Sequence, residues 1–87
     1  VVKVIILART HDEAQAYANT AGLAARNVFI CTPDTVGGTD GIVLSNEDLI
    51  AEFPGFREAE GSHRIIQRLT AAMAKGATTP TWRKIGT

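Results

Sequence analysis

The sequence predicts an α/β domain with a three-stranded, mainly parallel sheet flanked by two main helices and one or two short ones. Three observations point there. Residues 1–8, 28–32 and 41–44 are apolar, rich in β-branched side chains and free of in/out alternation, the profile of strands covered on both faces in a parallel sheet. The first run passes straight into a helix start, with Thr10 and Glu13 at capping-box spacing. The first two runs are separated by a helical segment, which makes a βαβ unit, right-handed by strong precedent.

Each element has its own signal. In the first run only Lys3 interrupts the apolar character. In the capping box, Thr10 Oγ accepts from the Glu13 backbone N–H, and the Glu13 carboxylate reaches back to the Thr10 N–H. The helix that follows spans 11–21, with Gly22 as its left-handed stop. Its apolar stripe is Ala14, Tyr17, Ala18 and Ala21, three small residues that let it lie close to a sheet and one that supplies bulk. Leu23 closes that end, and Arg26 and Asn27 lead into the second strand.

After Thr32, Pro33 suits a first helical position, and Gly37 and Gly38 end the segment after about one turn. The third strand, 41–44, follows a linker short for a parallel crossover, so antiparallel placement is the alternative. The uniformly apolar Ile42, Val43 and Leu44 favour parallel. Ser45 or Asn46 then caps a short helix over 47–53, with Glu47 and Asp48 in the first turn where the helix dipole favours acids. Pro54 and Gly55 break it. The last helix is the longest, with Ser62 as cap, Ile65, Ile66, Leu69, Ala72 and Met73 as its buried stripe, and Gly76 as stop. Phe56 and Ala59 continue the same period backwards, so a start near Phe56 is the alternative, tolerating Gly61 at about 1 kcal/mol. The reading gives one domain over 1–76 and a loop-like C-terminal tail over 77–87.

Eighty-seven residues make one core, burying roughly 60% of the surface the unfolded chain exposes. Nine basic and nine acidic residues give zero formal charge, so no global field draws in nucleic acid or anionic lipid, and any such role must come from a local patch. Cys31 is the single cysteine, which excludes an internal disulfide and an all-cysteine metal site; within its apolar run it reads as a small buried hydrophobe. No stretch approaches the ~20 apolar residues that cross a bilayer, and no leader-peptide pattern is present. The expectation is a cytoplasmic protein.

The order strand, A-R-T-H-D-E-A helix, strand ending C-T-P-D-T-V, glycines, then D-G-I-V-L-S-N-E-D resembles the middle of a RecA-like motor core, as in superfamily-two helicases and phage terminase large subunits. The resemblance covers roughly half of the chain and lies in layout more than in identities. It implies a Rossmann-like or RecA-like fragment, nucleic-acid contacts near the first two strand ends, and a Walker B acid pair near I-V-L-S-N-E-D. Two departures matter. No G-x-x-x-x-G-K-[ST] occurs, so the phosphate cradle is missing. Ser45 and Asn46 stand where the magnesium-binding Asp is expected, leaving Glu47 and Asp48 nearby. ATP hydrolysis is therefore not expected. In overall texture the chain also resembles small gene products of phages that infect high-GC bacteria, whose site of action would be the host cytoplasm.

The candidate ligand-binding residues are Arg9, Thr10, His11 and Asp12, at the carboxyl end of the first strand, where open α/β sheets bind ligands. An Arg, a hydroxyl and free helix N–H groups suit a phosphate or carboxylate. The plainer reading is that Thr10 and Glu13 cap the helix and His11 is solvated, and the acids Asp12 and Glu13 repel an anion. The candidate nucleic-acid or partner-binding residues are Arg57, Arg64 and Arg68, near His63, together with Trp82, Arg83 and Lys84 in the tail. Interleaved Glu58 and Glu60 favour the plainer reading of the first group as a solvated mixed-charge face. Trp82 either stacks on a base or partner or folds back to seal the sheet edge, and packing is favoured because the core is alanine-rich. Glu47, Asp48 and Asp40 suit a divalent ion no better than any first-turn acids do, and no metal site, cofactor or catalytic triad is expected.

Three functions follow. The leading one is a non-catalytic interaction protein, phage-encoded, that binds a host or phage macromolecule. The alternatives are a nucleic-acid-binding accessory factor and a small nucleotide- or phosphate-binding enzyme. An open sheet edge also makes a homo-oligomer reasonable.

Overall fold

A computed structural model of the chain describes residues 3–33 and 43–85. The elements are β1 (Val4–Leu7), α1 (His11–Thr20), β2 (Val28–Cys31), β3 (Leu49–Glu52), α2 (Ser62–Gly76) and β4 (Thr81–Lys84), with short 3-10 turns at Ala25–Asn27 and Phe56–Glu58. Among the described residues the sheet has four strands, not the expected three, in the order β2-β1-β3-β4, and every pairing is parallel.

β1 is central. Its register places Ile5 between Phe29 and Ile50, and Leu7 between Cys31 and Glu52. All four residues of β1 are buried, which is why this run is apolar without alternation. The two faces are covered separately. Val4 and Ile6 pack with Ala14 and Ala18 of α1, while Ile5, Leu7 and Ile50 pack with Ile65 and Leu69 of α2. The strand order explains this arrangement. The chain moves one way from β1 to β2 and the other way from β3 to β4, so crossovers of one hand deliver their helices to opposite faces.

Both expected helices form. Thr10 has extended backbone and its Oγ accepts from Glu13 N at 3.2 Å. The reciprocal half of the box is absent, because Glu13 Oε1 is shielded from solvent with no partner. α1 ends in a Schellman motif, with Leu23 N donating to Ala18 O at 3.0 Å, Gly22 N donating to Asn19 O at 3.2 Å, and Gly22 at φ +70°. α2 begins at Ser62 and not at Phe56, which sits fully buried in a separate 3-10 turn. Ser62 is not the cap. It lies inside the first turn and its Oγ donates to Arg57 O at 3.1 Å, while left-handed Gly61 precedes the helix. The stop is one residue beyond Gly76, where Ala77 takes φ +49° and Thr78 N donates to Met73 O at 2.9 Å.

Two expectations for the middle and end of the chain are corrected. The third strand is not 41–44: Gly41 and Ile42 lie outside the described residues, Val43 is 75% exposed, and Leu44 is a buried loop residue in the α2-side core. The strand is instead Leu49–Glu52, inside the segment read as a short helix. β1 is buried on both faces and requires a hydrogen-bonded neighbour on each edge, and this long-range demand outweighs the weak local helix signal. The supposed first-turn acid Asp48 accepts from Ser45 N at 2.9 Å and from Lys3 N at 3.3 Å, tying together the amino ends of β1 and β3. Residues read as a loop-like tail provide β4, in register with β3 from Leu49↔Thr81 to Glu52↔Lys84. The single turn expected after Pro33, its glycines and Asp40 fall mainly outside the described residues.

Candidate functional site

A parallel sheet gathers the carboxyl ends of its strands on one rim. Here the strand order reverses between β1 and β3, whose connections leave in opposite directions, the position at which open α/β sheets hold their ligands. Arg9 leaves β1 on this rim, and Pro54-Gly55 turns the chain away from β3. The two meet: a Cβ at Gly55 would lie 3.6 Å from Arg9 Nη1, an ordinary contact, and it is the left-handed backbone at φ +81° that favours glycine there. Thr10, His11 and Asp12 follow at the start of α1, all exposed. Thr10 Oγ is already engaged in capping. His11 lies on the β2 side of α1, lining a groove with Gln15, Leu23, Val28 and Phe29. Of the four candidate ligand residues, Arg9 thus meets Gly55, Thr10 caps α1, His11 faces the β2 side and Asp12 is exposed.

The rim also carries an acid that sequence reasoning missed. Glu52 ends β3 and is 3% exposed. Its Oε2 accepts from Arg57 Nε at 2.9 Å, and its Oε1 accepts from Arg57 Nη2 at 3.1 Å and from Trp82 Nε1 at 3.0 Å. The Arg57 guanidinium also lies 5.8 Å from the Trp82 ring. Burial alone would raise the Glu52 pKa, but the hydrogen bonds from Arg57 and Trp82, with the charges of Arg57 and Lys84, outweigh it and hold the carboxyl below its usual value. The available signal was an acid closing the apolar run Leu49, Ile50, Ala51, one residue short of Pro54-Gly55. A helix reading of that segment conceals it.

The basic candidates are distributed accordingly. Arg57 and Trp82 come together at Glu52, and Lys84 stands beside Glu52 in register. Arg64 and Arg68 lie one turn apart on α2, Arg64 exposed. Arg83 is exposed on edge strand β4, where positive charge discourages unwanted strand pairing. Asp48, at the opposite end of the sheet, is pushed up by burial yet held low overall by bonds from Ser45 and Lys3 and by the Lys3 ammonium 3.7 Å away. Lys3 Nζ also donates to the Val43 carbonyl. Glu47 and Asp48 are therefore at the amino end of β3, not on the carboxyl rim where a nucleotide-binding acid pair would stand. Burial pushes the Cys31 thiol up to about 11.

The described edge strands differ. β4 presents Arg83 and Lys84, whereas β2 is Val-Phe-Ile-Cys, uncharged, and among the described residues pairs only with β1. Phe29 on β2 is 46% exposed, under the Lys3 ammonium at 5.5 Å. The groove between β2 and α1 has a volume of about 390 Å³. Among the described residues no three His, Cys, Asp or Glu side chains are grouped to hold a metal ion, and no helix is long and apolar enough to cross a membrane. Comparison of the chain with protein-family models, with curated proteins and with solved structures finds no match.

Proposed function

We propose that this chain is a non-catalytic interaction domain, of the kind phages encode, which binds a macromolecular partner along the β2 edge of a Rossmann-like sheet. The observation that carries the reading is the contrast between the two edges. β4 is guarded by Arg83 and Lys84, while β2 offers an uncharged strand edge, the half-exposed Phe29 and an adjoining groove. An unpaired edge supplies main-chain hydrogen bonds to an incoming strand, and pockets beside it select side chains. The ionisation pattern favours the same reading. Glu52 and Asp48 are held ionised and Cys31 protonated, so these groups are displaced away from the neutral range that proton transfer and nucleophilic attack use.

The test is capture from a native-host lysate with the wild-type chain and with Phe29→Lys, identifying what is retained only by the former, alongside sedimentation of both. Loss of a specific partner, or of self-association, in Phe29→Lys supports the reading. Turnover of ATP or of another nucleotide overturns it.

A second reading, a nucleic-acid accessory factor, is favoured by the rim, where Arg9, Arg57, Arg64 and Lys84 stand at the carboxyl ends of β1, β3 and β4 and the start of α2. Retardation of single- or double-stranded DNA that weakens steeply with salt would support it, and no binding at low salt removes it.

A further inference from the structure

α1 has two flanks. The flank away from β2 carries Glu13, Ala16, Tyr17 and Thr20, which with Phe53, the residue after β3, line an open groove of about 330 Å³. Tyr17 and Phe53 meet edge to face, with centroids 5.7 Å apart and ring planes at 81°. Glu13 stands at one end of this aromatic pair. Its Oε1 is shielded from solvent and accepts no hydrogen bond, and no cation among the described residues lies within ion-pairing distance.

From this geometry we infer that the Glu13–Tyr17–Phe53 groove receives a cationic side chain, an arginine guanidinium, presented by a partner protein. The chemistry of the walls selects the ligand. The Glu13 side chain lines the groove with no ion-pair partner among the described residues, and an incoming cation supplies a counter-charge. Aromatic faces attract the same cation through their quadrupoles, and a planar guanidinium stacks on them better than a compact ammonium does. An anion is refused by Glu13 and Asp12, and a neutral apolar ligand leaves the carboxylate uncompensated. The openness of the groove selects the source. Free small molecules are held where most of their surface is buried, whereas a side chain anchored on a docked protein needs only a slot. The inference rests on the interaction reading proposed above but uses the other flank of α1, so a partner that pairs with β2 and one that reaches this groove are separable.

The test is a ¹H–¹⁵N titration of the full chain with acetyl-Gly-Arg-Gly-amide and with the same peptide carrying citrulline, a neutral isostere of arginine. The expected result is a saturable, salt-sensitive shift of the Glu13, Ala16, Tyr17, Thr20 and Phe53 resonances with the arginine peptide, weakened about fivefold in Glu13→Gln and absent with citrulline. Glu13 makes no side-chain hydrogen bond whose loss would unfold the chain, and Phe53→Leu, which keeps apolar bulk but removes a ring, gives a second handle with the melting curve of each variant as control. Equal shifts from the citrulline peptide, shifts confined to other residues, or indifference to Glu13→Gln overturn the inference. If they do so while partner capture remains sensitive to Phe29→Lys, the interaction reading stands and only this groove is dismissed.

Discussion

Trp82 Nε1 donates to Glu52 Oε1 at 3.0 Å, joining the middle of β4 to the end of β3. With the two bonds from Arg57 to the same carboxylate, it fastens the last strand and the turn before α2 to the centre of the sheet. Trp82→Phe retains a ring but removes the donor, and is expected to lower stability by about 1 kcal/mol, or about 4–8 °C in melting temperature for a domain of this size. Trp82→Ala also removes core contact and should lower it further. Thermal or urea unfolding measures both, and a Trp82→Ala variant as stable as wild type would show that β4 is not held by this contact.

Acid should loosen the same structure. The folded-state pKa values of Glu52 and Asp48 lie below their ordinary values of 4.5 and 3.8, so below those values the unfolded chain binds more protons than the folded one. The stabilisation is complete above about pH 5 and is lost as pH falls through the two folded-state values. Urea midpoints between pH 7 and pH 3 should hold steady and then decline, and Glu52→Gln should flatten part of the decline. An identical profile in Glu52→Gln would assign the acid sensitivity elsewhere.

The two helix ends provide a matched pair. Gly22 at φ +70° has nothing within 4 Å of where a Cβ would stand, so Gly22→Ala adds only the strain of a left-handed alanine, about 1 kcal/mol destabilising. Ala77 already bears that strain at φ +49°, and Ala77→Gly should stabilise by a similar amount. Opposite shifts in melting temperature are the expected signature.

Cys31 should resist alkylation. With its thiol pushed up to about 11 and its side chain buried, iodoacetamide at pH 8 should label it about two orders of magnitude more slowly than an unfolded control. Labelling at the unfolded rate would show that the carboxyl end of β2 opens readily.

Much of the local structure was legible because it is encoded locally. β1 and β2 appear as uninterrupted apolar runs, α1 and α2 as helical stripes, Thr10 as a cap and Gly22 as a stop. Glu52 was not legible as a rim residue, because its significance depends on Leu49–Glu52 being a strand, and acids at Glu47 and Asp48 followed by Leu49 and Ile50 read equally well as a helix start. The neighbours of Glu13 were hidden for a related reason. Tyr17 lies on its own helix, but Phe53 reaches the groove only once β3 is placed beside β1.

The sequence alone determined that this is an α/β domain with parallel strands and two principal helices, because the both-face burial of β1 and helical periodicity are written in neighbouring residues. β2, read the same way, is only partly covered. The tertiary structure decided which marginal segments complete the sheet. Leu49–Glu52 is taken up because β1 has a second edge to satisfy, and Thr81–Lys84 because β3 then has one of its own. Hydrogen bonds between segments distant in sequence make those choices, and local propensity does not encode them.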